Sequence, residues 1–561
     1  MTRRYWGWIV ASIVLIVLVS VIALRWRTFF SSSGPMHDAG VEASPHRSIR
    51  VAPAALGRAA MHPADSRLHG FTHAQVHAFL LAVQKANQIL NPLQRCLDYP
   101  DPPGSHWSPA SVKAYCQYYL QSTISPAEVK TLIRGGQADE LDRRLAAELN
   151  AQSTQPQSIG LLDHTYFNAF DSGSFDDRLI LDAWKRAAPN SAFAYAASGF
   201  DYVAMAAKAR GGAYIQDTPQ SNIDAMDRLL QQADIDLQHA IALNPKITPA
   251  YVAMIKAGSM ALGRVYVERA ARLGLTQAPS DYAIYGMLTH AEEPKWGGSL
   301  QAMKAVDQMA QAHVKSNPLL AIIHSAEPLV VYDVCDCTGS ANWSAFPVVF
   351  DNLGSTQELF AAGDAARRNG HFDLAAIYLS EGLRFVPDAN VAHQHRDLAM
   401  IALHETDLVL DDATRWIQQV PDNPLGYEVR SFAYSVKGDQ AHAISDLQQA
   451  LVVDPGDFSA LVQLSQKYSD AGEWSNALRV SDEMIRTHPE DSYSWVVRAM
   501  AQRQMNSPGL EDTARYFLTH FGNQPGQQQY ATMMRAMLAE LSTEQGMAPG
   551  KKVSKSHAPN R

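Results

Sequence analysis

Pro387, Pro421, Pro455 and Pro489 succeed one another at intervals of 34 residues. Twelve places before them stand Ala375, Val409, Ala443 and Ala477, and seventeen places before them Gly370, His404, Gly438 and Gly472. Five places before lie Gly382, Trp416, Ala450 and Met484. A chain that repeats a turn residue, a small residue and a proline at one period is a stack of copies of one unit. The glycine can take the left-handed backbone that ends a first helix and turns into a second. The small residue lets the two helices approach, and the proline stops the second. Asp388, Asp422, Asp457 and Asp491 follow the prolines as candidate caps of the next helix. Leu359, Tyr427, Tyr434, Leu461 and Tyr468 are large enough to fill the seams.

A helix–turn–helix unit of this length resembles the tetratricopeptide-repeat family over about residues 355–490. The resemblance implies an all-α chain in which hairpins stack into a superhelix, with Gly370, Ala375, Pro387, Trp416, Pro421, Gly438, Ala443, Ala450, Pro455, Gly472, Ala477 and Pro489 as packing residues. It also implies a protein or peptide partner on the repeat surface. The second repeat departs from the pattern at His404, Val409 and Trp416; either it is distorted or Trp416 fills a gap left elsewhere. A fainter copy lies upstream, where Ala233, Leu237 and Ala240 precede Pro245, and another surrounds Pro189. Trp184, Arg210-Gly211 and the block Trp296-Gly297-Gly298-Ser299 make residues 70–330 similar to an uncharacterised bacterial family of helical-repeat proteins. That likeness implies more helices and brings no catalytic residues. The Gly-Gly pair could form a ligand loop, but a turn with Ser299 capping a helix and Trp296 packed beneath is the expected reading.

The chain opens "MTRRYWGWIVASIVLIVLVSVIALRWR", an uncharged apolar run from Tyr5 to Leu24 between Arg3/Arg4 and Arg25/Arg27. At about 1.5 Å per residue it spans roughly the 30 Å hydrocarbon layer. Trp6, Trp8 and Trp26 sit near its ends, where amphipathic rings favour the interface. A cleaved signal peptide has a shorter apolar core and a small-residue cleavage site, whereas "RWRTFF" follows here. An uncleaved single transmembrane helix is therefore expected, anchoring the chain in a bacterial inner membrane with its C-terminal body in the periplasm.

The expected organisation is a cytoplasmic N-terminus (1–4), the anchor (5–24), a flexible linker (25–70), a helical N-terminal domain with a cysteine loop (71–175) and a helical-repeat domain (176–326). An irregular insertion (327–354), the tetratricopeptide repeats (355–490), C-terminal helices (491–543) and a disordered basic tail (544–561) complete it. Within the N-terminal domain, Phe79, Val83 and Ile89 share a helical period, and Pro100, Pro102 and Pro103 bar a helix from the cysteine loop. A formal charge of −9 offers no overall attraction to nucleic acid, and no such partner is expected.

Candidate chemistry is sparse. Cys96, Cys116, Cys335 and Cys337 form two local pairs, which suits an oxidising compartment. A Cys96–Cys116 bridge would close a loop worth about 3 kcal/mol in the chain-entropy model. Cys335-Asp-Cys337 lacks the Cys-x-x-Cys spacing and βαβ setting of a redox enzyme, so structural thiols are expected there. His73 and His77 share a helix face but lack the glutamate of a zinc-protease motif, and His393 and His395 point to different sides. No phosphate loop, nucleophile elbow or carboxylate pair appears, so no enzyme, cofactor or metal is expected. The leading expectation is a membrane-anchored periplasmic scaffold. The alternative is an enzyme with its site in residues 70–350, where the cysteine loop, its "PDPPGSHW" segment and the 327–354 insertion would meet, and with the C-terminal repeats recruiting substrate.

Overall fold

The computed structural model describes residues 70–546, and among these it contains 26 α-helices and no β-strand. The anchor, the linker and the tail beyond residue 546 lie outside the described residues. Among the described residues, no helix is long and apolar enough to cross a membrane. Two compact units divide between Ala399 and Met400, inside the second repeat rather than at a boundary read from composition.

The first unit begins with α1 (His73–Ala86), α2 (Pro92–Asp98), α3 (Pro109–Leu120), α4 (Pro126–Arg134) and α5 (Ala138–Thr154). Capping boxes start α1 at Thr72/Gln75 and α4 at Ser125/Glu128, each satisfying backbone N–H groups that a helix start leaves unpaired. α1 ends at Ala86, so Ile89 falls in the following turn and not on the helix face expected of it; Val76, Phe79, Leu80, Val83 and Ala86 form that face. Next come α6 (Leu161–Phe170), α7 (Phe175–Ala187), α8 (Ala192–Arg210), α9 (Gln220–Leu243), α10 (Thr248–Ala257), α11 (Arg264–Gln277), α12 (Tyr282–Ala291) and α13 (Leu300–Gln311). They bury one continuous core that includes Trp184, Phe200, Leu230, Met254 and Ile284. The insertion holds only α14 (Ala326–Val331), α15 (Phe346–Val349) and one 3-10 turn (Trp343–Ala345). α16 (Thr356–Arg368), α17 (Phe372–Phe385) and most of α18 (Asn390–Ala402) follow.

The second unit continues with α19 (Thr406–Gln419), α20 (Pro424–Val436), α21 (Gln440–Val453), α22 (Phe458–Asp470), α23 (Trp474–Thr487), α24 (Ser492–Gln504), α25 (Leu510–His520) and α26 (Gln528–Gly546). The last helix runs to Gly546 and so takes in the first three residues of the expected tail. Leu447, Leu461, Leu464, Tyr468, Val480 and Met484 share one core, and Phe517, Phe521, Met534 and Met537 share the next.

Candidate functional site

The repeat residues occupy equivalent corners. Second helices α17, α19, α21 and α23 each stop two residues before Pro387, Pro421, Pro455 and Pro489. At each stop the residue before the proline donates its N–H to the carbonyl five places ahead of the proline, on Gly382, Trp416, Ala450 and Met484, at 2.8–3.0 Å. The other corner repeats as closely. Gly370, His404, Gly438 and Gly472 all have positive φ, between 65° and 83°. The N–H after each reaches back to Ala366, Met400, Tyr434 and Tyr468, which is the six-to-one bond of a Schellman turn. Each hairpin has the geometry of a tetratricopeptide repeat. Asn506, with φ 52°, and the bond from Ser507 N–H to Gln502 close a further helix in the same way, 34 residues past Gly472.

Packing follows the register. Ala375, Val409, Ala443, Ala450 and Ala477 are fully buried. A methyl group on Gly382 would sit 2.3 Å from Phe360, and one on Gly363 2.5 Å from Leu379, so two glycines bring α16 and α17 together. In the second repeat Asp397 takes the place that Gly363, Ser431, Ser465 and Ala499 hold in the others; Arg396 binds its carboxylate at 2.7 and 2.9 Å. That repeat keeps its corner geometry while changing its chemistry. Trp416 is buried against the edge of Gly426, where an added methyl would lie 3.6 Å from the indole and 3.0 Å from Ile417. The capping site needs a correction. It stands two residues after the proline and is filled by Asn423, Asp457 and Asp491, whereas Asp388 and Asp422 fall one residue short.

In the second unit the first helices α20, α22, α24 and α26 form a polar row. Glu428 on α20 accepts from Ser459 and, at 2.9 Å, from Gln463 on α22. Tyr493 on α24 donates to Gln466, and Arg503 binds Glu540 on α26 at 2.8 Å. Glu428 is buried, and burial together with the neighbouring Asp457 carboxylate pushes its pKa up to about 8. Rings stand near the row: Tyr434 stacks on His442, and Trp495 on Tyr516, which stacks on His520 in turn. Sequence reasoning missed this row because it depends on which helices become neighbours.

The loops named for an enzyme site do meet. Cys96 and Cys116 are bonded, joining α2 to α3, and both are buried. Arg384 on α17 donates to Cys96 O at 2.8 Å and to Asp101 at 2.7 Å, while Arg95 donates to the carbonyls of Leu383 and Arg384. His106 and Trp107 bond to Asp351 and Phe350 at the end of the insertion. The joint is filled by Trp107, Phe346, Phe350 and Tyr378, all buried, so it is an aromatic core and not a pocket. Glu381 is enclosed there, and burial pushes its pKa up to about 8. Cys335 and Cys337 are also bonded to each other, on the insertion.

A carboxylate pair invisible to spacing lies deeper. Gln152 Nε2 reaches both Asp163 (2.7 Å) and Asp281 (3.4 Å), and Thr248 donates to Asp163. Burial and the facing Asp281 hold Asp163 well above the carboxylate range. Both are enclosed by helices α5, α6, α10 and α12, and Asp281 also caps α12. His73 and His77 lie parallel, 6.4 Å apart, and His395 is buried 2.9 Å from Asp364. Ser299 caps α13. A methyl on Gly298 would lie 2.1 Å from Glu292 O, so only glycine fits this turn. Trp296 is half-buried under Arg210 and lines a recess of about 210 Å³ against the π-turn Gly258–Leu262. Arg264, on its rim, is paired with Glu292.

No family model matches the chain. A stretch of 98 residues is 31% identical to the Hsp70-Hsp90 organizing protein of Triticum aestivum, covering 18% of this chain and 17% of that protein. The chain therefore spans a minor part of that relative's length. Yeast Tom70 aligns with a TM-score of 0.32 and 12% identity over 84% of this chain and 98% of its own. Cut9–Hcn1, an APC/C hetero-tetramer, aligns at 0.28 and 12% over 82% and 95%, and MamA at 0.25 and 16% over 31% and 94%. Scores this low leave the fold assignment to the hairpin geometry.

Proposed function

We propose that this chain is a membrane-anchored periplasmic scaffold that binds a protein or peptide along the first-helix row of its C-terminal repeats. The observation that carries the reading is the row itself. Glu428, Gln463, Gln466, Tyr493 and Arg503 recur on successive first helices at one side of the hairpins. Stacked repeats offer extended surfaces of this kind to a partner. The wheat relative is named an organizing protein for two other proteins, which is in keeping with a protein partner. The apolar run Tyr5–Leu24 supports an anchor, and two disulfides support an oxidising compartment. No catalytic family is indicated.

The test is cross-linking of the full-length protein in intact cells, followed by identification of what it captures. A Gln463→Ala/Gln466→Ala/Tyr493→Ala variant with unchanged helical content should lose the partner that the natural chain captures. Equal capture by both, or none by either, sinks the reading. Protease added to intact spheroplasts should digest the repeats while sparing cytoplasmic controls.

A further inference from the structure

The insertion carries a ligand set that neither the repeats nor the scaffold reading uses. Asp333, Cys335 and Cys337 present one carboxylate oxygen and two sulfurs that all lie within 4.8 Å of one another. The loop that holds them is tightly built. Asp333 and Asp336 both take left-handed backbone, with φ 48° and 53°, which non-glycine residues adopt only where surroundings fix them. Here the surroundings are hydrogen bonds. Asp333 Oδ2 accepts from Thr338 N and Oγ1 and from Ser340 N and Oγ, between 2.7 and 3.2 Å. Asp333 Oδ1 accepts only the N–H of Cys337, at 2.9 Å, and lies 3.7 Å from Cys335 Sγ. The carboxylate is thus locked by one oxygen and offers the other toward the sulfurs. Asp336 is turned away, bonded to Ala341 N and to Asn369 Nδ2 beside the first repeat's turn. Trp343 stacks on His371 at 4.6 Å and ties the loop's far side to the same turn.

We infer that, once the Cys335–Cys337 bond is reduced, Asp333, Cys335 and Cys337 bind a thiolate-seeking divalent cation of the Zn²⁺ class. Two thiolates and a carboxylate are a borderline-soft donor set, and bonds of about 2.3 Å to sulfur place tetrahedral donors roughly 3.8 Å apart. Asp333 Oδ1 already stands 3.7 Å from Cys335 Sγ, and the two sulfurs, bonded to each other in the oxidised loop, are free to part to that spacing once reduced. Four hydrogen bonds on the remote carboxylate oxygen are the outer support that orients a metal ligand. Three protein ligands leave the fourth position to water. The chemistry is balanced by a dithiol reductant: its two thiols become a disulfide, the Cys335–Cys337 bond breaks, and both sulfurs take up protons. Metal binding then releases those protons to solvent. Cys337 is exposed, so a reductant reaches this pair, whereas Cys96 and Cys116 are buried. The oxidised loop has no thiolate to offer, so the site is open only in the reduced state.

The test uses the full-length protein, reduced with a dithiol, freed of it under argon and titrated with Cd²⁺. A thiolate-to-cadmium charge-transfer band should saturate at one equivalent and be displaced by Zn²⁺. Oxidised protein should give no band, Cys335→Ser/Cys337→Ser should lose it, and Asp333→Asn should weaken binding at least tenfold. A band that persists in the double serine variant assigns the metal elsewhere and overturns the inference. So does its absence from natural protein whose thiols are shown free by alkylation, or an unchanged affinity in Asp333→Asn.

Discussion

The hairpins before the insertion and those after it share one corner and differ at the other. Upstream, α7, α9 and α11 end as the downstream second helices do. The residue before Pro189, Pro245 or Pro279 donates to Trp184, Ala240 or Gly274 at 2.8–2.9 Å. Ser191 and Asp281 then cap the next helix from two places after the proline, like Asp457 and Asp491. In the hairpins that end at these three prolines the turn from first to second helix is where the regions part, although α4 turns into α5 through a Schellman bond of its own, from Gln137 N–H to Leu132 beside Gly136. Downstream every such turn is a Schellman motif. Upstream, α8 leads into a long connection with a 3-10 turn, and α10 runs on into the π-turn Gly258–Leu262. The proline corner is therefore the constant element of the hairpin, and the first turn is the place where length and local chemistry are free to vary.

Substitutions at the two kinds of turn should separate steric from conformational cost, and the largest effect is expected upstream. Gly298→Ala forces a methyl into the Glu292 carbonyl and should cost about 3 kcal/mol, read as faster hydrogen exchange in α12 and α13. A pH effect of a different kind is expected downstream. Glu428 titrates at about 8 in the folded chain but in the ordinary carboxylate range when unfolded, so the native state holds the extra proton between those values. Stability of the second unit should fall as pH rises from about 4.5 to 8 and level off above. Glu428→Gln should flatten that slope; a slope unchanged in the variant would place its source elsewhere. Gly438→Ala meets open space and loses only the left-handed conformation, for about 1 kcal/mol. The smallest effect has the opposite sign. His404→Gly relieves a left-handed histidine and should stabilise by about 0.5 kcal/mol after the added freedom of the unfolded chain is subtracted.

Much of this fold was legible because a Schellman glycine and a helix-ending proline are single residues with fixed local jobs. Gly370, Gly438 and Gly472 could be read one at a time, and so could their prolines. His404 held its place in the register although its residue type did not announce the backbone it adopts. Pro279, 34 residues after Pro245, carried the same signal upstream but stood alone, since the long connection after α8 stretches the interval from Pro189 to Pro245 to 56 residues. Asp422 misled because proximity to a proline is a weaker cue than the helix's own register, which selected Asn423. The polar row was not legible, for Glu428 and Gln463 meet only after two helices 35 residues apart have packed. Asp333 was likewise hidden: Cys335 and Cys337 drew attention to each other, and nothing in the spacing told which way a carboxylate two places earlier would turn.

The matched corners carry a consequence for how such a chain can change length. Excising any block from one left-handed turn residue to its counterpart, such as Gly438 through Ala471, fuses a helix end to another that it already resembles. Every terminating bond is regenerated at the scar, and no residue is asked to adopt a new backbone. Duplication or loss of whole hairpins is thus a mild perturbation in this half of the molecule, and the extent of the surface can be tuned without redesigning any joint.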